Sequence, residues 1–401
     1  MHARPETTVS LRWPAGLDAR GFLSRYWQRR PLLLRSAVDP ATLPLPDDDR
    51  LAGLALSPEV ESRLVRHRRG AHWRLEHGPF TASQLRRLAR RDWTLLLQDV
   101  DSHWPATRAI FDLVAFIAPW RREDLMVSLA APGGTVGAHV DQYDVFLLQV
   151  RGRREWRIGR PETSGRLRED VPLALLAHFE EAERWMLAPG DILYLPPGVP
   201  HHGIAADDQN LCVTASLGFR APEAGELSVA MIEAQLAALA TVPRYSDAGV
   251  TLREAQGGEI GAAAIARLER LLEALPDRRL ACARALARLA TEVKPWLAPL
   301  PRRRGLGASA LWRRLARGDR LRLAAGARAA WVRTGGGAAE LYVNGCCWTL
   351  PPGCRRLAEH LAGPAATTGM TALPQRASAR GAALAVLCQL YLEGLLEIVR
   401  P

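Results

Sequence analysis

A chain of 401 residues exceeds the size at which one hydrophobic core usually stops growing, so two or three domains are expected. A net charge of +11 ordinarily points to an anionic partner, but lysine occurs once, at Lys294, and the remaining positive charge is arginine scattered among alanines; this reads as coding bias on a solvated surface, and direct nucleic-acid contact is not expected. The six cysteines lack the paired spacing of a zinc site or disulfide framework, and no apolar run could serve as a secretory leader or membrane span, so reduced thiols and a cytoplasmic location are expected.

Taken in chain order, DARGFLSRYWQRRPLLLRSA gives a helix around Phe22 to Trp27 and an apolar strand at Pro31 to Leu34. SPEVESRLVRHRR opens with Ser57 as a helix cap. WTLLLQDV is a strand over 93–100, and 105–118 is a helix. From Met126 the period changes to strand-like segments punctuated by glycine and proline: MVSLAA, HVDQYDVFLLQV, REWRIG, DILYLPP and LCVTASLGF. Short strands broken this way argue for a closed or sandwiched β-fold. After Pro222 three segments, GELSVAMIEAQLAALA, IGAAAIARLERLLEAL and RRLACARALARLATEV, carry apolar residues at helical spacing, the stripe of an intramolecular bundle or of a dimerisation element; dimerisation is favoured. From 301 helices alternate with a small β-hairpin, as in a winged-helix module. The expected organisation is therefore α+β, with boundaries at 1–222, 223–300 and 301–401.

The residues that carry chemistry lie in the β-region. His139 and Asp141 stand at i and i+2, which in an extended strand places both side chains on one face. A further histidine follows in GDILYLPPGVPHHG, so a neighbouring strand can complete three ligands. Two histidines and one carboxylate on one side of a metal, with other positions open, form the facial triad of non-haem Fe(II) oxygenases. His201 and His202 are adjacent and point to opposite faces, so one of them reaches the metal, and spacing alone does not choose. Arg154, on the strand after HVDQYDVFLLQV, is a candidate for gripping a carboxylate with its fork of donors.

These segments, DLMVSLAAPGG, HVDQYDVFLLQVRGRREWRIG, GDILYLPPGVPHHG and SLGFRAP, together with the upstream RYWQRRPLLLR, resemble the bacterial JmjC-type ribosomal oxygenases, cupin-fold arginine hydroxylases acting on large-subunit ribosomal protein sixteen. The resemblance implies a double-stranded β-helix holding Fe(II) through His139, Asp141 and His201, the last chosen by alignment of PPGVPH. It also implies that Arg154 binds the distal carboxylate of 2-oxoglutarate with help from Ser128, and that Asp124, Met126, Tyr143 and Ser216 line the target pocket, Asp124 pairing with a guanidinium. The implied reaction consumes dioxygen and 2-oxoglutarate, releases succinate and carbon dioxide, and leaves 3-hydroxyarginine on the target. No side chain need act as general acid or base, so no catalytic residue is assigned beyond binding and ligation. Two departures stand out: extra length in GIAADDQNLCVTASLGF after the last ligand, and Thr214 where relatives often carry asparagine. The rival expectation is a cupin metal or ligand sensor joined to a winged-helix DNA-binding module; against it, the last helix, AALAVLCQLYLEGLL, is mostly apolar rather than basic.

Overall fold

A computed structural model describes residues 9–68, 71–160, 165–206, 210–241, 244–248, 250 and 260–400. The chain divides into two compact units, one of residues 1–221 with 294–299, the other of 222–293 with 300–401. Six residues near the end of the 223–300 segment, 294–299, thus belong to the first unit.

In the first unit β1 (Leu32–Leu34), β2 (Ser62–Arg68), β3 (Ala71–His77), β4 (Trp93–Leu97), β5 (Arg122–Ala130), β6 (His139–Val140), β7 (Asp144–Arg151), β8 (Arg154–Gly159), β9 (Glu181–Leu187), β10 (Ile192–Leu195), β11 (Pro200–Ala205) and β12 (Cys212–Phe219) form two antiparallel sheets. The larger runs β1-β10-β7-β12-β5-β4-β2-β3, the smaller β6-β11-β8-β9. Period-2 alternation decides the layers. On β5, β7 and β12, residues such as Leu125, Val127, Phe146, Leu148, Val213 and Leu217 turn to a core shared with the N-terminal helices. Their neighbours Val145 and Leu147 turn the other way, onto Trp156, Ile158 and Leu187 of the smaller sheet. Two facing sheets of this kind are a double-stranded β-helix.

Several local expectations give way to tertiary pairing. Ser57 does not cap a helix: it accepts from the Glu59 N–H in a turn, and the chain then enters β2, which is paired on both sides by β3 and β4 and buries Leu64 and Val65. A local cap signal is weak beside two ladders of backbone bonds. The helix expected at 105–118 is 3₁₀ over Pro105–Val114, and the first helix, Ala19–Arg25, begins earlier than expected because Asp18 accepts from the Gly21 N–H at 2.7 Å.

RYWQRRP is anchored by a buried polar node. Asp144, fully enclosed, accepts from Tyr194 Oη at 2.6 Å, Gln28 Nε2 at 3.0 Å and Arg121 at 2.9 Å, while Tyr194 Oη also accepts from the Gln28 N–H at 2.7 Å. Trp27 stacks on Phe146 and Tyr194 around it.

In the second unit the helix Arg278–Thr291, capped by Asp277, packs Ala285 and Leu289 against Ala230 of the helix Ala224–Ala237. A third helix spans Ala262–Glu273. The remainder comprises β13 (Arg320–Leu323), β14 (Ala329–Arg333), β15 (Ala339–Val343), β16 (Cys346–Leu350), β17 (Thr367–Thr368) and β18 (Leu396–Val399) with helices Ala308–Ala316, Arg355–Leu361 and Ala377–Leu392. Arg284 makes two bonds to Glu340 on β15, at 2.6 and 3.0 Å, and Thr291 Oγ1 accepts from the Gly345 N–H, which ties the helical segment to these strands. Among the described residues no helix is long and apolar enough to cross a membrane.

Candidate active site

β6 and β11 pair with His139 opposite His201, which brings the two imidazoles to a centroid distance of 4.3 Å. Asp141 follows β6 by one residue rather than lying within it. Its Oδ1 is 3.8 Å from His139 Nε2 and its Oδ2 3.5 Å from His201 Nε2, and among the described residues this is the one group of three that could hold a metal ion. Each ring turns Nδ1 to a backbone carbonyl, Gly137 O at 3.0 Å and Val199 O at 2.9 Å. A carbonyl only accepts, so Nδ1 carries the proton and Nε2 offers its lone pair to the shared centre. Burial, with His139 adding to it, pushes the pKa of His201 down to about 4, which keeps it a neutral ligand at pH 7. This donor set fits a divalent transition metal with open positions.

Register also separates the two adjacent histidines. His201, Gly203 and Ala205 face the interior opposite Ile158, Trp156 and Arg154, whereas His202 lies opposite Arg157 on the outer face. There it borders a separate cavity of about 340 Å³ lined by His67, Trp73, Leu175 and Leu176. Gly203 must be glycine, since a Cβ there would stand 2.7 Å from the Trp156 ring.

Arg154 is 4 % exposed; its Nε donates to Cys212 Sγ at 3.4 Å, and among the described residues its terminal Nη2 has no partner. A buried guanidinium with a free prong calls for an anion. Four positions along β8 separate Arg154 from Ile158, the partner of His201, a span of about 13 Å. A long arginine and a short diacid together bridge that distance. Thr214 and Ser128 are register partners at the same end, and Thr214 Oγ1 donates to Gln149 Oε1 at 3.1 Å. Gln149 and Cys212 are contributors that sequence reasoning missed: Gln149 read as one residue of an apolar strand, and Cys212 as a generic core thiol. Of the segment 203–219, where extra length is expected after His201, residues 207–209 lie outside the described residues.

The residues expected to line a target pocket form a second cluster. Asp124, Met126 and Ser128 alternate along one face of β5, and Ser216 is the partner of Met126 on β12. Tyr143, 37 % exposed, hydrogen-bonds to Asp141, and burial with the neighbouring carboxylates raises its pKa. Asp124 accepts from Gln98 Nε2 at 2.9 Å, and desolvation, reinforced by Asp99, Asp101 and Glu123, pushes its pKa up to about 7 against the opposing pull of Lys294.

A JmjC domain model matches residues 109–227, and an AraC-like ligand binding domain model matches 176–283, overlapping the second half of the barrel. The ribosomal protein uL16 3-hydroxylase of Escherichia coli (strain K12) is 41% identical over 223 residues, 55% of this chain and 56% of that protein. The probable ribosomal oxygenase of Haemophilus influenzae is 31% identical over 230 residues, 55% of this chain and 54% of that protein. The chain thus spans about half the length of these curated relatives. Over the whole fold, an X-ray structure of E. coli ycfD superposes with a TM-score of 0.82 at 30% identity, covering 98% of this chain and 100% of that one. The same E. coli ribosomal oxygenase in complex with cobalt and 2-oxoglutarate gives 0.80 at 29% identity, covering 98% and 100%. With the ligand triad, the paired sheets and the near-complete superposition in agreement, the chain belongs to the JmjC-domain ribosomal oxygenases.

Proposed function

We propose that the chain is an Fe(II)- and 2-oxoglutarate-dependent protein hydroxylase that places a hydroxyl on the β-carbon of an arginine in a large-subunit ribosomal protein. The observation that carries this reading is the convergence of His139, Asp141 and His201 on one centre, with the unpaired buried prong of Arg154 behind it. Iron with 2-oxoglutarate and dioxygen supplies the oxidising power, one oxygen atom leaving in succinate and the other entering a C–H bond. His139, Asp141 and His201 would hold the iron, and Arg154, with Ser128, would hold the far carboxylate of the cosubstrate and so orient it. Asp124 would pair with the target guanidinium, and Met126, Tyr143 and Ser216 would enclose the aliphatic stem of the arginine. A cationic target suits a carboxylate held in a low-dielectric wall.

The remaining readings belong to the same proposal. The helices after 222 carry exposed apolar side chains, among them Val229, Ile232, Leu268 and Leu272, and serve dimerisation. The module from 301 is winged-helix-like and acts in packing; its last helix buries Ala383, Leu384, Leu387 and Leu390 in its own core, and the residues it exposes, such as Gly381, Ala382 and Ala385, are not basic, which disfavours the sensor alternative. The reaction takes place in the cytoplasm, where ribosomal proteins are made.

The test is incubation with purified large-subunit ribosomal proteins, Fe(II), ascorbate and 2-oxoglutarate, followed by peptide mass spectrometry. The expected result is the mass of one oxygen atom on a single arginine, dependent on 2-oxoglutarate. An unmodified set of proteins, or oxygen on histidine instead, would overturn the assignment.

A further inference from the structure

Three side chains on the site face of the larger sheet form a line that the chemistry above leaves unused. Arg63 on β2 is the register partner of Leu96 on β4, and Leu96 is the partner of Ser128 on β5, so Arg63 shares the face of the target pocket. Gln98 lies two residues beyond Leu96, and its backbone N–H donates to Glu61 O at 3.0 Å, which fixes its position past the end of the strand. Arg63 donates to Gln98 Oε1 at 3.1 Å, and Gln98 Nε2 donates to Asp124 Oδ2 at 2.9 Å. The amide between them has one possible orientation: a guanidinium can only donate, and an ionised carboxylate can only accept. The second carboxylate oxygen, Oδ1, stands over Gly218, where a Cβ would meet it at 3.0 Å.

We infer that Gln98, clamped by Arg63, is a positioning residue for the target arginine: it holds Oδ2 of Asp124 and leaves Oδ1 to receive the guanidinium. Without the amide, Asp124 loses a charge-assisted bond and gains rotamer freedom, and Arg63 is left without its acceptor beside a carboxylate it could then capture in place of the target. The inference rests on the reading of Asp124 as the guanidinium's partner, and it extends the pocket to two residues on strands remote in sequence.

Steady-state kinetics on the full chain, with an arginine-bearing target peptide, tests it through Asp124→Asn, Gln98→Leu and the double variant. Gln98→Leu is expected to raise KM for the target about tenfold while leaving KM for 2-oxoglutarate unchanged. Asp124→Asn should do at least as much, and the double variant should be no worse than Asp124→Asn alone, because the two act through one contact. An unchanged target KM in Gln98→Leu, or a Gln98→Leu factor that multiplies in full on the Asp124→Asn background, overturns the inference. If Asp124→Asn itself leaves the target KM unchanged, the reading of Asp124 falls and the inference with it. Should Gln98→Leu fail to fold, Gln98→Glu carries the test. It keeps the bond from Arg63 but sets two carboxylates together, among Asp99, Asp101, Glu123, Lys294 and Tyr143, so its target KM should match the parent's at pH 6, where one of the pair holds a proton and can donate, and exceed the parent's severalfold at pH 8. A target KM in Gln98→Glu that follows the parent protein at both pH values overturns the inference.

Discussion

His201 and His202 differ by one position and by one sheet face. His202 is also neutral at pH 7, since burial and Arg157 push its pKa down to about 4, so protonation state does not distinguish the two as ligands; only direction does. His201→Ala is therefore expected to abolish iron-dependent succinate formation, whereas His202→Ala should retain most of it; the reverse pattern would show that the wrong imidazole has been assigned. Asp124 makes a prediction of its own. Its carboxyl is held up to about 7, chiefly by desolvation and then by Asp99, Asp101 and Glu123, so below pH 7 it is largely protonated and cannot pair with a guanidinium. KM for the target should fall as pH rises from 6 to 8, with Lys294, Arg63 and Tyr143 as the other charged or titratable neighbours setting the midpoint. A target KM that is flat over that range would remove Asp124 from recognition.

At the scale of elements, the polar node at Asp144 joins the N-terminal segment to the barrel. Asp144→Ala leaves the Arg121 cation, the Tyr194 hydroxyl and the Gln28 amide short of their common acceptor, and breaking a buried ion pair from one side costs about 3 kcal/mol or more. Thermal unfolding should show a clear drop in Tm for this variant; a Tm within a degree of the parent would mean that the node is dispensable. The barrel strands themselves were legible because half-buried strands impose period 2 on MVSLAA and LCVTASLGF, and glycine and proline mark their ends. β9 was not, since Glu181, Glu183 and Arg184 are exposed and charged and its pairing with β8 leaves little apolar signal. β2 was misread through Ser57 for a related reason: a cap is local, whereas what makes β2 a strand is its pairing with β3 and β4, and β4 begins 25 residues after β2 ends. In the site, HxD and the paired histidines were visible as spacing; the resemblance of PPGVPH chose His201 over His202, and the register against β8 sets the two on opposite faces. Gln98, Gln149 and Cys212 were invisible because their roles come from partners 26, 65 and 58 residues distant.

At the scale of the molecule, the chain leaves the first unit at 222, passes through helices that include Ala224–Ala237, Ala262–Glu273 and Arg278–Thr291, and crosses back as 294–299 before completing the second unit. In that short return Lys294 donates to Glu61 at 2.6 Å and to Asp99, which is almost fully buried, at 2.8 Å. A chain ended after residue 221 would lack this cation, and it is expected to unfold at lower temperature than the full chain even though every metal ligand is retained; an equal Tm would show the return to be passive. Burial works to lower the pKa of Lys294, but its bonds to Asp99 and Glu61 outweigh that and raise it, so the ammonium stays protonated and a poor nucleophile while it is in place. Because it is the single lysine of the chain, an amine-reactive dye has no other side-chain target. Its rate of attachment at Lys294 would therefore report, without engineering, how often the crossing lifts away from the barrel.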